Sequence, residues 1–278
     1  MKITVMSANT SAVKGIKTGK GQSLLIQTGD HNFLFDFGAD KSSVLKNFRT
    51  LGISSDIVGA AFLSCGDANH SGGMLSFLQE NRRATAYARI TAFAPRFKKG
   101  LFGMKNVAPD KKLNAKRRIL RCKNYFAAKD ESFVTFSLTE GGTGSPVNTG
   151  WFVKDDAGKF TADDFTHEMY LMVRADKNWA LFCGDAHAGI AAVVDHAQRL
   201  AAKNLGGKLQ WVIGGFSMCD EKGKPVSDEY IDAAAQTLAE KNIQYYTGHS
   251  TGEYAFNRLK NVLGDRLHSY AAGDVIEL

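Results

Sequence analysis

The segment Phe62–Gly73 limits the possible folds more than any other part of the chain. It reads Phe-Leu-Ser-Cys-Gly-Asp-Ala-Asn-His-Ser-Gly-Gly, which is an apolar strand end, a tight polar loop and a Gly-Gly helix entry. Side chains two residues apart on an extended loop point the same way. We therefore expect Cys65 and Asp67 to face one metal ion and His70 a neighbouring one, as in two-metal hydrolytic sites. The competing interpretation is a loop that has lost its ligands and binds no metal.

Three further polar loops follow predicted strands. One contains Asp185 and His187, two residues apart and so facing the same way; Ser217 and His249 lie in the other two. In open α/β sheets, ligand sites lie beyond the carboxyl ends of strands. We therefore predict that His70, His187 and His249 converge, with Asp67 and Asp185 in the same pocket.

The remaining acidic and histidine residues have supporting roles in this interpretation. Asp36 ends an earlier predicted strand, and we expect it to accept hydrogen bonds from the loop at 62–73. Four other histidines are predicted to be surface or hydrogen-bonded residues: His31, His167, His196 and His268.

Predicted strands alternate with predicted helices in two similar rounds. In the first round, Val44, Leu45, Phe48 and Leu51 recur at helical spacing after a predicted hairpin. Two such rounds favour an α/β protein built as a four-layer αββα sandwich, with two mixed sheets face to face and helices outside. No Pro/Ser-rich linker interrupts the chain, so we predict a single domain over 1–278 with a basic insertion around 96–123.

The four loops together resemble the metallo-β-lactamase superfamily. They are the segments 62–73 and 183–190, the turn Gly214-Gly215-Phe216, and the stretch 248–252. The resemblance is to the branch of dihydropterin-type ribofuranosyl-aminobenzene phosphate synthases, also known as superfamily II metal-dependent hydrolases. Where the superfamily has His-x-His-x-Asp-His, this chain has Cys65, Asp67, Asn69 and His70, so only the last histidine matches.

The other loops also depart from the pattern of that branch. The usual Gly-Cys-Ser-His is Gly184-Asp185-Ala186-His187, the usual Gly-Gly-Phe-His ends in Ser217, and the usual His-Cys-Thr-Gly begins at His249 but has Ser250 for the cysteine. Several replacements keep sulfur or oxygen donors, which favours a remodelled metal site over a decayed one.

The resemblance implies two ligand sets. One ion would be held by Cys65, Asp67 and His187, and the other by Asn69, His70, His249 and Asp185. Zinc is the expected ion, with manganese or iron as alternatives, and one or two ions are expected.

The function implied is that of a metal-dependent hydrolase-like enzyme acting on a small phosphorylated or cyclic substrate. Asn69 stands in the place of the usual Asp, and an amide cannot accept a proton from water. We therefore expect weak generic hydrolase activity, with Asp185 as the substitute catalytic carboxylate and Asp36, Asn69 and Ser217 as supporting or substrate-binding residues. The alternative is a non-catalytic binding or sensing relative that keeps the fold without full metal loading.

Charge and hydropathy limit the kinds of binding partner and the location that we expect for this protein. The net charge of +7 is concentrated in residues 96–123, where eleven Lys or Arg residues face a single Asp. We interpret this block mainly as a solvated helical face that can also hold a substrate anion; nucleic-acid binding is the minority interpretation. The N-terminus does not have the shape of a signal peptide, no run of about 18 apolar residues is present, and the four cysteines form no CxxC pair. We therefore expect a cytoplasmic location with no membrane association.

Overall fold

The computed structural model describes residues 1–11, 13–100, 103–138, 144–148 and 150–278. Its strands are β1 (Lys2–Ser7), β2 (Ser23–Thr28), β3 (His31–Phe35), β4 (Ala60–Leu63), β5 (Thr85–Arg89), β6 (Arg96–Gly100), β7 (Gly103–Asn106), β8 (Ile119–Cys122), β9 (Tyr125–Ala127), β10 (Phe133–Phe136), β11 (Trp151–Lys154), β12 (Phe160–Ala162), β13 (Tyr170–Ala175), β14 (Asn178–Cys183), β15 (Leu209–Gly214), β16 (Gln244–Thr247), β17 (Leu267–Ser269) and β18 (Val275–Glu277).

The α-helices are α1 (Ser43–Thr50), α2 (Ala68–Ser71), α3 (Met74–Glu80), α4 (Ile190–Leu200), α5 (Asp228–Ala239) and α6 (Glu253–Leu263). Short 3-10 turns cover Ser55–Ile57, Lys111–Ala115, Pro146–Asn148 and Gly264–Arg266, and a π turn covers Ala201–Leu205. In the described part of the chain, none of the helices has the length and apolarity that a membrane crossing requires.

Two seven-stranded mixed sheets form the centre of the fold. Their orders are β18-β1-β2-β3-β4-β5-β8 and β17-β16-β15-β14-β13-β10-β9. In the first sheet β3, β4, β5 and β8 run parallel, and in the second β14 to β17 do. Parallel neighbours need crossover connections, so the carboxyl ends of these strands collect at one edge of each sheet. The loops that follow β4, β14, β15 and β16 start from those edges.

The two sheets pack on each other through an aromatic core. The rings of Phe33 and Phe133 each contact Phe62 edge-on, at 5.7 and 4.8 Å between centroids. Strand β4 is apolar throughout because both of its faces are covered. Phe62 faces the other sheet, while Ala61 and Leu63 pack toward the helices.

Helices cover the outer face of each sheet. Val44 and Phe48 of α1 pack on the first sheet with Phe77 of α3. The second sheet is covered by α4, α5 and α6, whose buried residues include Ile190, Ile231 and Leu259. The predicted αββα sandwich of two mixed sheets is confirmed.

A third sheet, in the order β12-β11-β6-β7, was not anticipated by the sequence pattern. The predicted helical face over 96–123 is wrong: the described residues of this segment form β6, β7, a 3-10 turn and β8. Three residues of this segment are buried among its exposed charged residues: Arg96, Leu113 and Ile119 are each less than 10% exposed. β8 is itself the edge strand of the first sheet, pairing Ile119 with Ala86. The assignment of the whole chain to one domain stays a prediction.

Candidate metal site

The Gly-Gly pair after the first loop is required by close backbone packing. A Cβ on Gly72 would lie 2.0 Å from the carbonyl oxygen of Ala39, and one on Gly73 would lie 2.5 Å from that of Phe37. Gly72 itself has an ordinary helical conformation, with φ −55°. The glycines therefore allow the segment that follows β3 to press against α2, and this contact places the loop.

Asp36 holds the loop at 62–73 in place through its buried side chain. Its fully buried carboxylate accepts hydrogen bonds from the backbone N–H and the hydroxyl of Ser64, both at 2.8 Å, and lies 2.8 Å from Nδ1 of His70. Asp36 has φ +62°, a left-handed conformation that Asp and Asn tolerate better than most residues. The structure thus places Asp36 where the sequence predicted it, beneath the loop at 62–73.

Three side chains from different strand ends meet in one buried group. Nε2 of His70, after β4, lies 3.0 Å from Oδ2 of Asp185, after β14. Nε2 of His249, after β16, lies 3.1 Å from Oδ1 of the same carboxylate. One ligand atom of each residue lies within 4.8 Å of the other two. Two imidazoles and a carboxylate are a donor set that suits zinc and related ions.

His187 lies beside this group. Its Nε2 is 3.4 Å from Oδ2 of Asp185, and its Nδ1 is 3.4 Å from the Ser217 hydroxyl. Its ring packs against Phe165, with 4.1 Å between centroids. The loop is held by the buried Glu168, which accepts the backbone N–H of His187 at 3.0 Å.

Cys65 and Asp67 are buried near His70, but in the described part of the chain they do not join the three-residue group. Burial raises the pKa of the Cys65 thiol to about 12. Burial also raises the pKa of Asp67, whose Oδ1 accepts the N–H of Asn69 at 3.1 Å and so caps α2. Asp67 therefore has a structural role as the N-terminal cap of α2.

The electrostatics of the three-residue group centre on Asp185. Burial alone would raise the pKa of this carboxyl, but His70 and His249 outweigh burial and hold it well below its ordinary value. The reverse holds for His70: burial would lower its pKa, whereas Cys65, Asp185 and Asp36 together raise it well above the usual range. In the absence of a metal, the group therefore holds a buried positive charge against a buried negative one.

The hydrogen bonds of this group fit a cation. With Nδ1–H donating to Asp36, a neutral His70 directs the lone pair of Nε2 at Oδ2 of Asp185, and two lone pairs at 3.0 Å repel. A proton or a metal ion must lie between them. Oδ1 of Asp185 is also buried, and its near neighbour is Nε2 of His249 at 3.1 Å. Each oxygen of this carboxylate therefore faces one imidazole nitrogen of the group, which is the arrangement that a divalent ion between the three side chains would use.

Sequence reasoning missed a buried support on the connection from β12 to β13. Nδ1 of His167 accepts the N–H of Gly66 at 2.9 Å, and its Nε2 lies 3.4 Å from Asp163. Arg96 lies on the other side of Asp163, at 3.2 Å. Burial lowers the pKa of His167 to about 4. His167 was predicted to be a surface or hydrogen-bonded residue, and it is the latter, fully enclosed; no local spacing indicates its partner 101 residues away.

Backbone strain marks the same region. Seven non-glycine residues in the described ranges have positive φ, and five of them lie in or against the site: Asp36, Phe165, Ala186, Ser217 and Ser250. Such conformations are costly and persist where the surrounding structure enforces them, which is common at functional sites.

A cavity of about 870 Å³ opens onto this group. Six residues named from the sequence line it: Asp67, Asn69, Asp185, His187, Ser217 and His249. Behind the lining lie the anchoring residues Asp36 and His70, together with Cys65. Asn9, which the sequence did not indicate, also lines the cavity, with its amide oxygen 3.4 Å from Nδ1 of His249.

Comparison with known proteins gives a match in structure alone. No family model and no curated protein matches the sequence. Tm1679, described as a metal-dependent hydrolase of the β-lactamase superfamily, superposes with a TM-score of 0.81 at 23% identity over 100% of this chain and 99% of that one. The metallo-β-lactamase fold protein YhfI from Bacillus subtilis has a TM-score of 0.58 at 14% identity, covering 99% of both chains. Zn²⁺-bound PqqB from Methylobacterium extorquens has 0.56 at 12%, covering 100% of both. The chain therefore has the metallo-β-lactamase fold.

Proposed function

We propose that this protein is a metal-dependent hydrolase that holds one divalent ion, zinc first, with His70, Asp185 and His249. The observation that carries the proposal is the convergence of their three buried ligand atoms, all within 4.8 Å of one another. Two proteins with this fold, the metal-dependent hydrolase Tm1679 and Zn²⁺-bound PqqB, agree with it. A bound divalent ion would supply Lewis-acid activation of water at neutral pH.

The chain's own residues prepare this site. Asp36 orients His70 so that Nε2 faces Asp185, and Asn9 does the same for His249. Cys65, Asp67 and His187 remain candidates for a second ion. That ion would bind more weakly, because ligation requires the Cys65 thiol to lose its proton and its pKa is about 12.

Proton transfer is the weak point of the site. Asn69 lines the cavity and, as an amide, cannot act as a base. Asp185 was predicted as the substitute base. Its strongly lowered pKa makes it a poor proton acceptor near pH 7, so metal binding is the role that we favour for it. We therefore expect slow turnover of generic lactam, lactone and phosphodiester substrates.

The substrate that we propose is small and phosphorylated or cyclic. A cavity of about 870 Å³ lies within the range typical of small-molecule sites. The sequence resemblance to the ribofuranosyl-aminobenzene phosphate synthase branch points to the same class. Lys20, Lys98 and Lys99 line the cavity and would favour an anion.

Elemental analysis after loading with zinc, manganese or iron tests the proposal. We expect about one ion per chain, and we expect His249→Ala to lose most of it. His31→Ala is the matched control, because His31 lies at the start of β3, away from the three-residue group, and its side chain is 42% exposed. Equal metal content in both variants would show that the ligands lie elsewhere.

A paired activity assay addresses Asn69 and Asp185. Asn69→Asp should raise metal-dependent hydrolysis of a phosphodiester or lactone by about 10²-fold, the lower end of what a positioned base contributes. Asp185→Asn should abolish whatever activity and metal binding the wild type has. Brisk wild-type turnover that survives Asp185→Asn would refute the site.

Asn69 also favours a second candidate, a binding or sensing protein that keeps the pocket without turnover. Bound metal and tight binding of a small ligand, with no hydrolysis in either the wild type or Asn69→Asp, would select this candidate.

A further inference from the structure

Two lysines in the lining of the cavity, Lys20 and Lys98, share one acidic partner. Lys98 comes from β6 and Lys20 from the connection between β1 and β2, and both reach the carboxylate of Glu221. Lys20 Nζ is 3.5 Å from Glu221 Oε2, and Lys98 forms a charged hydrogen bond with Oε1. One carboxylate is thus held between two ammonium groups that come from distant parts of the chain.

Lys98 is more constrained than a surface lysine. It pairs across the third sheet with Trp151, and its ammonium group lies 3.9 Å from the centroid of the Trp151 ring. Its side chain is 23% exposed, against 61% for Lys20. Trp151 in turn packs on His187, so the cation is placed one aromatic layer away from the metal-site loop. Lys98 is therefore pre-positioned for an anion inside the cavity.

Glu221 lies on a short turn that makes its own local hydrogen bonds. The turn is closed by Asp220, which accepts the N–H of Lys222 and of Lys224, and by a bridge between Cys219 and Pro225. The Glu221 side chain is 44% exposed. Ion pairs with this much exposure contribute little to stability, so separating Glu221 from the lysines is cheap.

We propose that Lys20 and Lys98 form a phosphate-binding subsite of the cavity, and that Glu221 occupies this subsite until a ligand phosphate displaces it. A phosphate dianion neutralises both ammonium groups, whereas the single Glu221 carboxylate leaves one positive charge uncompensated. This balance favours phosphate over a carboxylate ligand. The inference rests on the proposed function for its substrate, since it assigns that substrate a phosphate group, but the subsite needs no metal.

Calorimetric titration with inorganic phosphate tests the subsite in the full-length protein. Chelator in the buffer keeps phosphate from binding through an ion. Lys98→Met should weaken phosphate binding by about tenfold or more, the effect of one charge-assisted contact. Lys111→Met is the matched control and should change nothing, because Lys111 is an exposed lysine of the same basic segment on a 3-10 turn.

Replacing Glu221, the acidic partner of the two lysines, should change phosphate affinity in the opposite direction. Glu221→Gln should tighten phosphate binding by at least about threefold, because the ion pairs of Glu221 with Lys20 and Lys98 no longer have to be broken. Glu277→Gln, an exposed residue of β18, is its control. Acetate should bind more weakly than phosphate in the wild type. If Lys98→Met does not fold, as judged by circular dichroism, Lys20→Met should weaken binding in the same direction.

Equal phosphate affinities for Lys98→Met and Lys111→Met, or no tightening in Glu221→Gln, would overturn the subsite. Such a result would leave metal-dependent hydrolysis untouched, since that is read from metal content and turnover. Conversely, a protein that binds phosphate through these lysines but neither binds metal nor hydrolyses any substrate would retain the subsite and refute the proposed function.

Discussion

Replacing Asp36 by asparagine tests how the metal site is prepared, because this substitution changes one charge and little else. Asparagine tolerates the +62° φ of this position as aspartate does. The amide oxygen can still accept the N–H of Ser64, in place of Oδ1. The amide nitrogen then takes the position of Oδ2, facing the Ser64 hydroxyl and Nδ1 of His70, and both of these atoms can accept a hydrogen bond.

The consequence is a change of tautomer at His70. Once the introduced amide donates to Nδ1, this nitrogen no longer carries a proton, and the single proton of the ring lies on Nε2 and donates to Oδ2 of Asp185, 3.0 Å away. The lone pair that would bind the metal is lost, although the fold is kept. Loss of such a supporting contact typically weakens metal affinity by about 10–100-fold, equivalent to about 1.4–2.7 kcal/mol. We expect a zinc titration of Asp36→Asn to show a decrease of this size.

The matched control is Asp176→Asn, since Asp176 also has positive φ, at 56°, but lies exposed on the β13–β14 turn. Zinc affinity is measured by competition with a chromophoric chelator, thermal melting checks the fold, and ¹⁵N chemical shifts of His70 report the tautomer. Unchanged zinc affinity in Asp36→Asn, with a shifted tautomer, would refute the assignment of His70 as a ligand. An unshifted tautomer would refute the role of Asp36.

Two further predictions concern stability. His167 has a pKa of about 4 in the folded protein and about 6.5 when unfolded. Between these values the unfolded chain binds a proton that the folded protein excludes, so this histidine's contribution is fully present above pH 6.5 and is lost as the pH falls toward 4. We expect it to lower the free energy of unfolding by about 2 kcal/mol between pH 7 and pH 5. In urea denaturation, the free energy of unfolding should depend less on pH in His167→Gln than in the wild type. The same pH dependence in both proteins would contradict the prediction. Gly72→Ala should destabilise the protein by about 2 kcal/mol or more, because its Cβ would lie 2.0 Å from a backbone oxygen. Gly59→Ala, which meets nothing within 4 Å, is the control, and equal melting temperatures for the two variants would refute the packing account.

Much of the fold can be read from local pattern. The apolar runs in β2, β3 and β4 indicate strands that are buried on both faces, and the helical spacing in α1 indicates which face of that helix is buried. Loops that carry chemistry at the ends of parallel strands must meet at one edge, and this is why the sequence predicts that His70, His187 and His249 converge, with Asp67 and Asp185 in the same pocket. The prediction of a helical face over the basic segment was wrong because the many charged residues suggested an exposed surface, whereas Arg96, Leu113 and Ile119 are buried.

The tertiary structure decided what local pattern cannot encode. Which of the six candidate ligands share one centre depends on where three loops end after the sheets twist and pack. His167 and Gly66 are 101 residues apart, and Lys98 and Glu221 are 123 residues apart. The periodicity of apolar residues predicts burial because side-chain direction repeats regularly along a helix or a strand. The partner of a buried or charged group is set by the packing of whole layers, so contacts at such separations appear only once the chain has folded.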